Sequence, residues 1–296
     1  MMDWALLAES AVNGGLVGLM YSLVAMGIVL IYKSSSVPNL AQGAMTMLGA
    51  YVVLAFANNA KAPIWLAIAL AIVTMFAVGM TIERVALRRL AGRPIIMILM
   101  MTLGLEILLR AGSMTIWGGT GRPMPLGISD DPLFLGPMLI NRTYAVGAAV
   151  AVAMFGLFML FFRTRMGVVL RAISDDYTAA WSVGISVERG VALSWAMSAV
   201  VATIAGVLWA SVQGVDQSLA QLLLKGVTVA VLGGMDSIGG ALLAGVLLGI
   251  VEGVAASYLD PLLGGASRDL VDAAMLILTI MLRPHGLFGR HDIERI

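Results

Sequence analysis

Apolar stretches long enough to cross a lipid bilayer recur along almost the whole sequence. The hydrocarbon core of a bilayer is about 30 Å thick, and a helix of roughly 20 apolar residues crosses it. Stretches near that length with few or no charges lie at residues 11–32, 39–57, 63–82, 95–117, 143–162, 190–213, 219–235, 238–258 and 269–282. Backbone polar groups must be satisfied within the segment in lipid, so these stretches predict helices. The expected fold class is an all-α integral membrane protein, a polytopic helical bundle.

The composition supports the membrane prediction. Hydrophobic residues make up 60% of the chain and charged residues 12%, whereas a typical soluble domain has about 25% charged residues. We expect about eight transmembrane helices in a single domain over residues 1–296. A break rich in glycine separates 219–235 from 238–258, so the alternative is that one or both of these pieces are re-entrant.

Lysine and arginine are distributed unequally between the predicted loops. If the loop 84–93 is cytoplasmic, alternation places twelve of these residues inside and four outside. The inside set is Lys33, Arg84, Arg88, Arg89, Arg93, Arg163, Arg165, Arg171, Arg189, Arg283, Arg290 and Arg295; the outside set is Lys61, Arg122, Arg142 and Arg268. Cytoplasmic loops carry the basic excess, so we expect an external N-terminus, a cytoplasmic C-terminus and an irregular external loop at 118–142. Asp3 and Glu9 precede the first stretch, which we expect to be a retained span rather than a signal peptide.

Charged residues inside the predicted spans need partners there. Glu106 and Arg110 are four residues apart and can neutralise each other on one helix. Lys225 is a candidate partner for Glu252 from a neighbouring span. Structural ion pairs are one interpretation of these residues, and a polar path through the membrane is the other.

Small residues form a regular ridge near the end of the chain. Gly245, Gly249 and Gly253 repeat every four residues, and Gly14 with Gly18 forms a weaker example in the first span. Small residues allow helix backbones to approach closely in lipid. Helix packing is therefore the expected role, and a moving gate surface is the alternative.

Sequence signatures of catalysis are absent, so we assign no catalytic and no metal-binding residue. There is no HExxH, GxSxG or GxxxxGK[ST] pattern and no cysteine, and the two histidines, His285 and His291, lie in the predicted cytoplasmic tail. A chain without a phosphate-binding loop is not expected to hydrolyse ATP. Basic clusters interleaved with aromatic residues are also missing, so nucleic-acid binding has no support.

The predicted inner loop 163–189 is long and partly amphipathic. Ser174 could cap a short helix whose first turn holds Asp175 and Asp176. Gly184 could end that helix. The loop is either simply solvated or contains a docking helix for a cytoplasmic partner.

Several segments resemble, in the same order, segments of the permease subunits of branched-chain amino acid importers, an ATP-binding-cassette class. The most specific lies in 163–189 and resembles the loop that couples such permeases to their ATPases, through Arg171, Asp175, Asp176, Ala179, Ala180, Gly184 and Ile185. The other segments are 39–51, 83–86, 231–240, 248–252 and 283–290. Their common order over nearly the whole chain carries the resemblance.

The resemblance implies a permease domain in a bacterial inner (plasma) membrane and a set of partners. These are a second membrane permease subunit, expected to be a related chain, two cytoplasmic ATPase subunits, a periplasmic or external substrate-binding protein, and membrane lipid. ATP is expected on the ATPases, with no cofactor in this chain. The expected substrates are branched-chain or related amino acids, or small amides.

Polar residues in or near the spans are candidates for a translocation path. They are Asn39, Gln42, Glu106, Arg110, Lys225 and Glu252. A helix cap at the second span is the alternative role for Asn39 and Gln42. Where many family members read His-Gly-Glu, this chain reads Gln-Gly-Ala at 42–44, so no titratable group is expected there.

An ion-coupled secondary transporter is the alternative function. Glu106, Glu252 or Asp272 would then serve as the proton site, because carboxylates inside a membrane often mark ion pathways. Asp269 and Asp272 also have a simpler interpretation, since they fall in the first turn of the last predicted helix and complement its dipole.

Overall fold

A computed structural model describes residues 4–90, 92–128, 131–135, 138–175 and 177–289. Eleven α-helices occur in these ranges: α1 Trp4–Ser35, α2 Gln42–Asn58, α3 Ile64–Ile82, α4 Ile95–Trp117, α5 Arg142–Phe161, α6 Arg165–Asp175, α7 Tyr177–Ser182, α8 Val187–Gln213, α9 Leu222–Gly233, α10 Ile238–Leu263 and α11 Ser267–Leu282. The predicted helical fold class is confirmed.

Six of the helices in the described residues are long and apolar enough to span a membrane, namely α1, α3 with the turns that follow it, α4, α5, α8 and α10. Helices α2 and α11, with 17 and 16 residues, are close to the roughly 20 residues that a span needs. The helix count therefore agrees with about eight spans. Of the two uncertain pieces, α10 has 26 residues and α9 has 12, and the 3-10 turn before α9 extends it to an apolar helix over Gln217–Gly233.

The predicted external loop contains a small β-hairpin that no sequence pattern indicated. Strand β1 (Leu133–Leu135) pairs antiparallel with β2 (Met138–Ile140). Asn13 of α1 attaches the hairpin, because its amide nitrogen donates to Leu139 O at 2.8 Å and its amide oxygen accepts from Asn141 N at 3.0 Å. The loop is thus partly ordered by side-chain hydrogen bonds to the first helix.

The helices fall into two compact groups. The first comprises Met1–Ala25, Gly127–Phe155 and Lys225–Ile296, and the second comprises Met26–Leu126 and Gly156–Leu224. In the first group α10 packs on α11. In the second group α2 packs against both α3 and α8, around a buried core that includes Met45, Met75 and Trp195.

Candidate functional site

The predicted coupling loop 163–189 folds into two short helices, α6 and α7. The prediction of one helix capped by Ser174 is wrong, since Ser174 lies inside α6 one residue before its end at Asp175. Helix α6 starts earlier because Thr164 caps it: the Thr164 hydroxyl accepts from Gly167 N at 3.4 Å, and Val168 N–H donates to Thr164 O at 3.0 Å. The predicted site residue Asp176 lies outside the described residues.

Gly184 ends the second helix of this loop, as predicted. Its φ of +82° is left-handed, a conformation that glycine adopts without the steric cost of a Cβ. The Gly184 N–H donates to Trp181 O at 3.0 Å, and the Ile185 N–H donates to Ala180 O at 3.1 Å. These bonds satisfy carbonyls at the end of α7 that have no partner within the helix.

The two short helices are anchored to α8 by a buried apolar cluster. Leu170 and Ile173 of α6, Ala180 of α7 and Val187 of α8 are each no more than 5% exposed and pack together. The anchor fixes the position of α6 and α7 relative to the first turn of α8.

The opposite side of α6 and α7 is open to a partner. The side chains of Trp181 and Val183 are 71% and 76% exposed. Arg171, Asp175 and Ala179 are exposed as well, although Arg171 also donates to Phe162 O at 3.0 Å. Among the predicted coupling residues that the structure describes, Ala180 is buried in the anchor and Ile185 is partly buried against it. The others, Arg171, Asp175, Ala179 and Gly184, are exposed.

Asn39 and Gln42 form a buried polar cluster at the start of α2. Both are 0% exposed, and the Asn39 amide donates to Gln42 Oε1 at 3.2 Å. The hydroxyl of Ser198 on α8 lies 2.8 Å from the same oxygen and 2.9 Å from Gly27 O on α1. The Ser198 hydroxyl thus lies within hydrogen-bond distance of both α1 and α2.

The alternative role as a helix cap is not seen, because the residue in the capping position is Ala41 and α2 has no side-chain cap bond. The Asn39 side-chain oxygen instead accepts from Ala41 N at 2.9 Å, just before α2 begins. Ser198 is a partner that the sequence did not single out, since serine is common in spans. The part of these residues in a translocation path stays a prediction.

The expected ion pair on α4 is present. Arg110 Nε lies 2.8 Å from Glu106 Oε1, and the two side chains are 44% and 16% exposed, respectively. A pair at this spacing neutralises both charges on an otherwise apolar helix.

Lys225 and Glu252 also pair as proposed, with 2.8 Å between Nζ and Oε1. Their side chains are only 13% and 3% exposed. The ammonium group additionally contacts Asp269 Oδ1 at 3.2 Å and donates to Arg268 O at 3.3 Å. A lysine ammonium has three N–H donors, so these three acceptors use its whole capacity.

Asp272 completes this cluster, with Oδ2 at 3.9 Å from the Lys225 ammonium. The prediction that Asp269 and Asp272 both lie in the first turn of the last helix is correct only for Asp269, because α11 begins at Ser267 and Asp272 falls in its second turn. The contacts of both residues with lysine were not predicted. Their spacing of three residues was the available signal, because it puts both carboxylates on one face of a helix.

The glycine ridge of α10 packs against the glycines of α1. A Cβ placed on Gly249 would lie 2.6 Å from Gly18 N, and one on Gly14 would lie 3.1 Å from the Cα of Gly253. Gly18 in turn faces the Gly245 carbonyl. The sequence pattern indicates the two sets of glycines separately, and the structure shows that they form one interface.

The last described residues fold back on the glycine-rich break between α9 and α10. The Leu287 N–H donates to Leu232 O at 2.8 Å, and the Phe288 N–H donates to Gly233 O at 3.2 Å. These two carbonyls end α9, where no helical donor follows. The tail therefore caps α9, a contact that no side-chain pattern indicated.

Gly286→Ala is expected to destabilise the protein more than Gly264→Ala. Both glycines have left-handed backbones, with φ of +74° and +75°, so both substitutions carry the cost of roughly 1–2 kcal/mol for a Cβ in that region. At Gly286 the new Cβ would also lie 2.5 Å from Gly234 N, whereas Gly264 has open space. Unfolding of the two variants in detergent measures the difference. Equal losses would mean that tail closure adds nothing to stability.

Comparisons with known proteins give the family. The sequence profile described as branched-chain amino acid transport system / permease component matches residues 10–282. The chain belongs to this family. The permease protein BraD of the high-affinity branched-chain amino acid transport system of Pseudomonas aeruginosa is 30% identical over 97% of both chains. LivH of Escherichia coli K12, which has the same description, is 30% identical over 96% of both.

A solved structure shares the fold of this permease. PsaBC from Streptococcus pneumoniae in complex with Fab matches with a TM-score of 0.50 over 96% of this chain and 94% of that chain, at 16% identity. The resemblance inferred from the ordered segments is confirmed. The chain is a membrane permease component of an ATP-binding-cassette importer.

Proposed function

We propose that this permease forms one half of a path for branched-chain or related small amino acids across a bacterial inner membrane. A second, related permease chain forms the other half, and a periplasmic or external binding protein delivers the substrate. Two cytoplasmic ATPases bind and hydrolyse the ATP, since this sequence has no phosphate-binding loop. The N-terminus is outside and the C-terminus is cytoplasmic, as the basic residues predict.

One observation carries the proposed coupling to an ATPase, namely the exposed apolar side chains at the end of α7 and directly after it. Trp181 and Val183 are 71% and 76% exposed, and exposed apolar side chains of this kind mark interaction surfaces. Because Ala180 is buried against α8, a partner that moves α7 would also move α8. Such movement of packed helices would allow the permease to change between outward-open and inward-open states.

Ala179→Arg is expected to weaken ATPase association by about tenfold or more, equivalent to about 1.4 kcal/mol. Ala179 is exposed beside the buried Ala180, so the added side chain enters the docking surface without disturbing the anchor. The complete importer in liposomes provides the measurements: co-purification of the ATPase, and substrate-stimulated ATP hydrolysis. Asn59→Arg, at an exposed position in the predicted outer loop, is the matched control. Unchanged association in Ala179→Arg would contradict the docking assignment.

The ion-coupled alternative loses support from the contacts of Lys225. Two of its three candidate proton sites, Glu252 and Asp272, lie 2.8 Å and 3.9 Å from one ammonium group. Contact with a buried ammonium group gives both carboxylates a structural role as ion-pair partners, so a proton site is not needed to explain them. Uptake by the purified chain alone in liposomes, driven by a proton gradient without ATP, would revive this alternative.

A further inference from the structure

Arg88 forms a bridge between two carboxylates that belong to different helices. Its guanidinium binds Glu83 through two nitrogens, with Nη2–Oε2 at 3.1 Å and Nε–Oε1 at 3.4 Å. The third nitrogen, Nη1, lies 3.2 Å from Glu188 Oε2. The Glu83 side chain is 3% exposed and that of Glu188 is 66% exposed, so the bridge runs from the protein interior to its surface.

The position of Arg88 depends on a π-helical turn over Glu83–Leu87, directly after α3. In a regular α-helix, a residue five positions on lies about 140° around the axis and faces away. In the π-helical turn the Arg88 N–H donates to Glu83 O, which stacks the two residues on one side. Single π-helical turns are rare and occur frequently at functional sites.

The other end of the bridge lies where the coupling helices meet α8. Glu188 is in the first turn of α8, next to Val187, which is buried in the anchor cluster with Leu170, Ile173 and Ala180. A Cβ on Gly190, in the following turn, would collide with Ile173 of α6. The first turn of α8 therefore packs on α6 through apolar contacts. Through the ion pair of Glu188 with Arg88 it is also connected to the end of α3.

A cavity of about 500 Å³ lies beside the bridge. Ile173 and Asp175 of α6, Arg88 and Glu188, and Ile98 of α4 are among the residues that line it. Densely packed interiors resist displacement, so this open volume gives the end of α6 room to move relative to α4. The ion-paired bridge spans the same region and keeps α8 tied to the end of α3.

We propose that Arg88 is a positioning residue for transport. When α6 and α7 are displaced, the first turn of α8 moves with them, and Arg88 transmits that movement to the end of α3. This inference rests on the proposed coupling of α6 and α7 to an ATPase. Arg88 itself contacts neither substrate nor ATP in this role. Its bidentate fork suits it to hold two carboxylates at once, which a lysine ammonium would do with less directional control.

Glu188→Gln tests the bridge at its exposed end. It leaves the Arg88–Glu83 contact in place, and exposed pairs contribute only about 0–1 kcal/mol to stability, so the fold is expected to persist. In the complete importer in liposomes, substrate transported per ATP hydrolysed is expected to fall by about fivefold or more, the range of a typical coupling free energy. ATPase association is expected to stay unchanged. Glu188→Asp should recover most of the ratio.

Arg189→Gln is the matched control, because it neutralises the adjacent exposed charge and should leave the ratio unchanged. A normal ratio in Glu188→Gln would overturn the role of Arg88 while the proposed function stood. Loss of ATPase association in Glu188→Gln would also overturn it, since Glu188 would then be a docking residue. The proposed coupling of α6 and α7 to an ATPase is tested separately by Ala179→Arg. Full ATPase association in that variant would contradict the proposed coupling.

Discussion

Lys225→Met is expected to lower the free energy of unfolding by about 3–5 kcal/mol, the usual cost of removing one partner of a buried ion pair. Glu252 is the main reason, because its side chain is 3% exposed and its carboxylate lies 2.8 Å from the lysine ammonium. Without that ammonium the carboxylate stays buried among apolar helices with no opposite charge. Unfolding in increasing sodium dodecyl sulfate, followed by tryptophan fluorescence, measures the loss.

Two further variants separate the charge effect from a packing effect. The double variant Lys225→Met with Glu252→Gln should recover a large part of the loss, because it removes the uncompensated charge as well as its partner. Asp269→Asn should cost no more than about 1 kcal/mol, since that side chain is 83% exposed. A loss in Lys225→Met no larger than in Asp269→Asn would refute the buried-pair interpretation.

The sequence was sufficient to predict the Lys225–Glu252 pair, because a charge inside a span must find a partner. It did not lead to Asp269 and Asp272 as further partners. Acidic residues in a first helical turn already have a local explanation in the helix dipole, and that explanation concealed the longer-range contact. The pair was thus predictable from charge alone, whereas its surroundings depend on the side-chain contacts of Lys225 with α11, which only the structure shows.

For the coupling loop 163–189 as well, the sequence was sufficient to predict some features and not others. Its exposed position and its end at Gly184 followed from residue types, since glycine is favoured where a helix ends in the left-handed region. The start of α6 at Arg165 was missed because Thr164 and Ser174 are both suitable caps, and only the observed hydrogen bonds distinguish them. The hydrophobic anchor of Ala180 was also hidden, because alanine occurs on buried and exposed faces alike.

Two contacts had no signal in the sequence. The tail caps α9 through the backbone N–H groups of Leu287 and Phe288, and backbone groups are the same in every residue type. The bridge of Arg88 depends on a π-helical turn at Glu83–Leu87, whereas a regular helix would turn Arg88 away from Glu83. Both contacts arise from backbone geometry that side-chain patterns do not encode.

Gly249→Leu is expected to prevent α10 from packing on α1 and to abolish recovery of folded, monodisperse protein. A Cβ on Gly249 would lie 2.6 Å from both the N and the Cα of Gly18, so the larger side chain has to displace a helix backbone. Helix association in lipid depends on this close approach of small residues, since no hydrophobic drive between helices exists there. Yield and size-exclusion profile of the detergent-solubilised variant measure the effect.

Alanine substitutions at two glycines are expected to change the free energy of unfolding in opposite directions. Gly249→Ala should destabilise by roughly 1–3 kcal/mol, the usual cost of overpacking. A Cβ on Gly104, inside α4, would have no neighbouring atom within 4 Å, so Gly104→Ala should be neutral or stabilising by up to about 1 kcal/mol through helix propensity. If both alanine variants unfold alike, the glycines of α10 are not required for contact with α1. Opposite signs in the two variants would instead tie the stability of this permease to the backbone contact between Gly249 and Gly18.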